Sequence, residues 1–212
     1  FNASRFSPAL LFLGAVFYIL AYNEPKNFWF LSLIAIIPVF FALERASSPR
    51  LAFWLGSFWG TAVSAGVLIW FWGAYPPVWA GLESPLWGGL AIFLIWLLSS
   101  VILAVFFGFW AFFFKTLSKN DWRDALIASS LWVIGEFARA FFFSLVSLGS
   151  GGAIGPYWTF GFLGYPLIWS KFFIALAPFG GVYLLGFAGV AINFLFFSIL
   201  RAEDKLNLLR RI

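Results

Sequence analysis

Two side chains in this 212-residue chain could do chemistry where charge is costly. Glu136 and Arg139 lie three residues apart inside the apolar run "LWVIGEFARAFFF". Ionisable groups within such runs face a bundle interior or a watery cavity. A spacing of three puts them on one helix face, where they can pair with each other. Two readings stand at this point. The pair is structural and pins the outer half of its helix to the segment beyond, or Arg139 binds an anionic lipid headgroup or a substrate carbonyl.

The segment beyond is "GSGGAIGPYWTFGFLGYP". Gly149, Gly151, Gly152, Gly155, Gly161 and Gly164 disfavour a continuous helix, and Pro156 and Pro166 forbid one locally. The glycines match neither a phosphate-binding loop ending in GK[ST] nor a dinucleotide G-x-G-x-x-G turn. Phe160, Phe162 and the aromatics Tyr157, Trp158, Tyr165 and Trp169 are interleaved. The loop either dips into the membrane, where protein or water must satisfy its backbone, or is an ordinary outer loop anchored by aromatics. Glu136, Arg139, Tyr157, Trp158, Tyr165 and Trp169 are thus the candidate residues for lipid or substrate contact, or for bracing.

Catalysis has no foothold among these residues. The chain contains no Cys, His or Met, which removes thiolate nucleophiles, disulfides, the usual general base and the commonest metal ligands. Ser129 and Ser130 have no neighbouring base and read as helix-packing residues. No catalytic residue, metal or cofactor is expected. Asn193 reads as an interhelical hydrogen bond. Gly56, Gly60 and Ser64 form a small-residue stripe for close packing. Pro38, Pro76 and Pro77 mark kinks or ends, and Glu24 and Glu83 read as solvated. Because the chain begins at Phe1 rather than Met, N-terminal residues of the translated protein are expected to be absent.

What must position these residues is a membrane bundle. The chain is 63% hydrophobic and only 10% charged, too apolar for a water-soluble fold of this length. Its net charge of +5 follows from basic helix ends, and no nucleic-acid partner is expected. With about 20 apolar residues needed per span, the sequence predicts an all-α integral membrane protein of about six transmembrane helices. The spans are expected near 6–22, 28–43, 51–75, 86–114, 125–148 and 172–200, in one domain over residues 1–212. The Gly/aromatic-rich outer loop joins helices five and six.

Alternating sides then sort the basic residues. Arg5, Arg45, Arg50, Lys115, Lys119, Arg123, Arg201, Lys205, Arg210 and Arg211 share the side of the N-terminus, against Lys26 and Lys171 opposite. That bias places the N-terminus and residue 212 in the cytoplasm, and Trp29, Trp79, Trp87, Trp158 and Trp169 at the outer interface.

From helix five onward the chain resembles a known family. "LWVIGEFAR", with Trp132, Glu136 and Arg139 in a W-x-x-x-E-x-x-R pattern, leads to a loop carrying Gly155, Pro156, Trp158, Gly164 and Tyr165. "LAPFGGVYLLGFAGVAIN" follows, with Gly181, Val182, Tyr183 and Asn193. This is similar to the membrane region of bacterial apolipoprotein N-acyltransferase. The loop departs from that family's usual "FPW", reading "GPYWTFGFLGY". The resemblance implies an inner-membrane bundle that seats a nitrilase-like domain with a Glu-Lys-Cys triad, following one further span. In that family the cysteine passes an acyl chain from a phospholipid to a lipoprotein's N-terminal amine. No such triad is present here. The expected partners are membrane lipids, together with a lipoprotein substrate or an extracytoplasmic catalytic domain or subunit. The alternative is a free-standing scaffold for a separately encoded acyl- or glycosyltransferase. A small transporter fits less well, since one Glu/Arg pair offers little for an ion path.

Overall fold

In a computed structural model the chain is helical, with no strand among the described residues, 8–146 and 154–209. Arg5, Phe6, Leu148, Gly149, Gly151, Gly152, Arg210 and Arg211, and the side chain of Lys205, lie outside what is described. Five stretches are long and apolar enough to cross a membrane: Pro25–Arg45, Pro49–Ala74, Pro85–Leu117, Arg123–Leu145 and Ala177–Ala202. Helix α1, Pro8–Asn23, is a sixth and shorter apolar helix. The protein is an all-α, multi-pass membrane protein, as the apolar runs predict.

Three spans differ in detail from simple rods. The second begins at Pro25, not 28. It comprises α2 (Pro25–Phe28), a 3-10 segment (Trp29–Leu33), a break, and α3 (Ile37–Arg45). Proline sits in the first turn of both α-helical pieces, where its missing N–H costs nothing. At the break, Asn193 supplies what the helix lacks. Its Oδ1 accepts from Ile36 N at 2.9 Å, and its Nδ2 donates to Ser32 O at 2.8 Å. The interhelical hydrogen bond expected of Asn193 is therefore a repair of another span's backbone.

The third span is α4 (Pro49–Val67), which tightens into a 3-10 stretch over Leu68–Ala74. The last starts as the short α8 (Lys171–Ile174) and resumes as α9 (Ala177–Leu209), interrupted at Gly180 and Gly181. Gly181 has φ of 61°, a left-handed conformation that glycine adopts without a Cβ penalty. The fourth and fifth spans, α5 (Pro85–Leu117) and α6 (Arg123–Val146), are unbroken. Between the loop and α8 lies a single turn, α7 (Gly164–Leu167).

The small-residue stripe works inside the bundle. A Cβ on Gly56 would lie 2.6 Å from both Phe107 O and Ala111 Cβ, and one on Gly60 would strike the Phe107 ring. Only glycine lets α4 and α5 approach this closely. Around that contact sits an aromatic core: Trp59, Phe107, Trp110 and Trp132 meet with centroids 5.2–6.3 Å apart. Ser129 is buried, as its packing role requires, whereas Ser130 is exposed. Being next in sequence, Ser130 points about 100° away from its neighbour around the helix.

At the basic end the helices are tied at one level. Lys115 Nζ donates to Leu43 O (2.9 Å) and Glu44 O (3.2 Å), capping α3. Arg201 on α9 pairs with Glu44 and reaches Asn120. Asp124 fixes the turn into α6 by accepting from Lys119 N (2.8 Å), Asn120 N (2.9 Å) and the Ser118 hydroxyl.

Candidate functional site: a loop seated inside the bundle

The two ionisable residues in the middle of α6 are buried, Glu136 at 4% and Arg139 at 3% exposure. They do not form an ion pair with each other; the pairs among the described residues are Arg123–Asp121 and Arg201–Glu44. Each turns instead to the backbone of the loop. Glu136 Oε1 accepts from Leu163 N at 2.8 Å, and Arg139 Nη2 donates to Phe160 O at 2.9 Å. The guanidinium also lies over two rings, 5.4 Å from the centroid of Phe107 and 5.1 Å from that of Phe162. Such contacts suit a cation held away from water.

These two bonds belong to a staircase. Gly155 N donates to Ser144 Oγ at 3.0 Å. Trp158 packs on Phe143 with centroids 5.4 Å apart. Phe160 O then meets Arg139, and Leu163 N meets Glu136. As the loop runs forward from 155 to 163, its partners step back along one stripe of α6 from 144 to 136. Leu163 therefore sits beside a position about 15 Å below the last residue of α6, at 1.5 Å per residue. The described part of the loop descends into the bundle.

A third side chain closes the arrangement, one the sequence did not single out. Tyr18 of α1, fully buried, donates its hydroxyl to Gly161 O at 2.8 Å. So Phe160 O, Gly161 O and Leu163 N are each satisfied by a buried side chain, which is what irregular backbone at such depth requires. Gly161 has φ of 72°, a turn conformation in which a side chain would be strained. Gly164 and Gly186 admit the loop to α9. A Cβ on Gly164 would run into Val182 O, and one on Gly186 would lie 3.1 Å from Glu136 Oε2. Replacing Tyr18 with Phe should lower stability by about 1–2 kcal/mol, the cost of leaving a buried carbonyl unpaired. The thermal midpoint in detergent, followed by tryptophan emission, measures this.

The rest of the loop, with the remaining candidates Tyr157, Trp158, Tyr165 and Trp169, divides by burial. Phe162, Leu163 and Leu167 are wholly buried. Tyr165 is half-buried, stacked on Phe162 and hydrogen-bonded to Thr159 through its hydroxyl at 2.6 Å. Trp158 is half-buried between Phe143 and Phe160. Tyr157 and Trp169 are exposed, at 57% and 51%. The structure thus gathers Glu136, Arg139, Trp158 and Tyr165 into the seat of the loop and leaves Tyr157 and Trp169 on the outside. Beside Glu136 and Arg139, a crevice lined by Phe106, Phe107, Trp110, Trp132 and Gly135 has a volume of about 10 Å³. That is room for one water at most. No group of three or more His, Cys, Asp and Glu that could hold a metal occurs among the described residues.

Comparison with known proteins agrees with this architecture. The family model described as the apolipoprotein N-acyltransferase N-terminal domain matches residues 14–195. The chain is also similar to a Gloeobacter violaceus protein named apolipoprotein N-acyltransferase, 36% identical over 110 residues. That alignment covers 51% of this chain and 20% of the relative, so the matched stretch spans about a fifth of the relative's length. The family match takes in α1 from Gly14, the staircase on α6 and the Asn193 repair. The chain belongs to the family of apolipoprotein N-acyltransferase N-terminal domains.

Proposed function

We propose that this chain is the membrane module of an apolipoprotein N-acyltransferase-like protein of the bacterial inner membrane. In this reading it holds phospholipid and lipoprotein substrates at the outer face, with the N-terminus and residue 212 in the cytoplasm. The observation that carries the proposal is the fixed loop. Its backbone is anchored from beneath by Tyr18, Glu136 and Arg139, while Tyr157 and Trp169 stay exposed. Aromatic rings on a rigid base suit the headgroup level of a bilayer. They orient a lipid without acting on it, a positioning role. Glu136 and Arg139 serve here as the brace and not as ligands, because each commits a polar atom to loop backbone.

The orientation rests on the basic residues. Arg45, Lys115, Lys119, Arg123 and Arg201 cluster at the end opposite the loop, consistent with a cytoplasmic face. The chemistry would belong to a Glu-Lys-Cys domain of the kind the family resemblance implies, since no cysteine occurs in these 212 residues.

Photo-crosslinking tests the positioning role. A phospholipid with a photoactivatable headgroup, in nanodiscs containing the chain, should label residues 154–170. Tyr157→Ala and Trp169→Ala together should reduce that labelling several-fold without changing the thermal midpoint. Labelling spread evenly around the bundle, or unchanged by the double substitution, overturns the proposal. The intact mass of the natural protein separates an enzyme's module from a free-standing scaffold. A mass near 23.8 kDa favours the scaffold, and a much larger one favours the enzyme.

A further inference from the structure

The loop end of the bundle is not level. At the basic end, Lys115 of α5, Glu44 of α3 and Arg201 of α9 meet one another. Measured from there at 1.5 Å per residue, α9 reaches its Gly181 interruption after about 30 Å and its first residue, Ala177, after about 36 Å, whereas α5 continues for about 45 Å to Pro85. A separate set of contacts gives the same step. Asn23, the last residue of α1, donates from Nδ2 to Gly66 O at 3.0 Å, and the adjacent Ala65 O accepts from Trp96 Nε1 at 2.9 Å. Everything from Pro85 to Ile95 therefore stands beyond the end of α1, by about 16 Å along the helix. Residues 68–84 climb with it: a Cβ on Gly88 would touch Pro77, and one on Gly89 would lie 3.7 Å from the Tyr75 ring.

This arm, residues 68–95, has a single charged residue, Glu83. It carries the tryptophans Trp70, Trp72, Trp79 and Trp87. Trp79 is 78%, Leu86 74% and Trp87 62% exposed. A segment standing in water would not keep such side chains uncovered, since large exposed apolar patches mark contact with something. The surface runs without interruption into the exposed face of α5 at Leu94, Leu98 and Ile102, which faces lipid in any membrane-spanning arrangement of this helix. A protein-docking patch carries a polar, charged rim, and the arm has only Glu83 to offer.

We infer that residues 68–95 are seated in the lipid of one leaflet, so that the hydrophobic belt is taller on the α4–α5 side than on the α1–α9 side. A bilayer meets such a step by thickening, or the helices meet it by tilting. The step adjoins the loop, because Trp70 packs on Phe160 with centroids 5.7 Å apart. The inference rests on the membrane-spanning fold and goes beyond the positioning role, so either can fail alone.

Spin labels read depth directly, and the chain's lack of cysteine makes single-site labelling straightforward. Variants V78C, L86C and L90C on the arm, I102C on the α5 face and K26C beyond α1 would be labelled in nanodiscs. All five sites lie on exposed positions, and size-exclusion and tryptophan emission would verify folding. Collisions with oxygen should exceed those with a water-soluble nickel chelate at 78, 86 and 90, as at 102, and the order should reverse at 26. Chelate-dominated collisions at the arm would mean that it stands in water. Protection from both reagents would mean that protein covers it. Either result overturns the inference.

Discussion

Replacing Arg139 with Leu, with Glu136 retained, should destabilise the protein by about 1.5–3 kcal/mol, the worth of a buried hydrogen bond made by a charged group. Three losses coincide. Phe160 O gives up a charge-assisted hydrogen bond, the Phe107 and Phe162 rings lose the cation between them, and the buried carboxyl of Glu136 loses its neighbouring cation. The last term can be isolated. Adding Glu136→Gln to Arg139→Leu removes the uncompensated carboxyl while keeping an oxygen for Leu163 N. The double variant should therefore unfold at a higher denaturant concentration than Arg139→Leu alone. If Gln gives no recovery, the uncompensated carboxyl is not what destabilises the single variant, and the lost hydrogen bond and ring contacts are. Equilibrium unfolding in mixed micelles, followed by tryptophan emission, supplies both values.

The second large effect is expected at Asn193. Leu has the same branching but can neither accept from Ile36 N nor donate to Ser32 O. Asn193→Leu therefore leaves two backbone groups of the second span without partners in the bundle interior, where Ser32, Ile36 and Asn193 are all wholly buried. At about 1–3 kcal/mol for each orphaned group, the loss should reach about 2–6 kcal/mol. Hydrogen exchange gives a local readout. The Ile36 amide should exchange faster in the variant, while amides in α5, far along the chain from the break, should hold their protection until global unfolding. Equal acceleration throughout would show that the damage is general and not confined to the break.

How much of this was legible in the sequence follows from the range of each force. Apolar length decides a span locally, so five of the six runs emerged as membrane-length stretches and α1 as a shorter helix. Breaks inside spans depend on partners. "FLSLIAIIP" reads as a continuous apolar run, and only Asn193, more than 150 residues away, makes a gap there tolerable. The burial of Glu136 and Arg139 was legible because charge in an apolar run has nowhere else to go. Their partners were not, since backbone N–H and C=O groups occur at every residue and leave no mark on composition. Tyr18 was missed for a related reason. A tyrosine five residues from a helix end looks like an interfacial anchor, and nothing local distinguishes a hydroxyl aimed inward at Gly161. What could have been read is the stripe of Glu136, Arg139, Phe143 and Ser144, whose polar members repeat on the face that receives the loop.

The Asn193 bridge has a consequence for biogenesis. Chains enter membranes from the N-terminus onward, so the first hairpin is in lipid long before the sixth apolar segment has been synthesised. Until that segment arrives, Ser32 O and Ile36 N must be satisfied by water or by another backbone arrangement. The hairpin can settle into its final shape only when α9 joins it. Insertion and completion of the first two spans are thus separate events, divided by the synthesis of the segment from Ile36 to Asn193, and a ribosome stalled before Asn193 should leave a hairpin that is inserted but still unfinished.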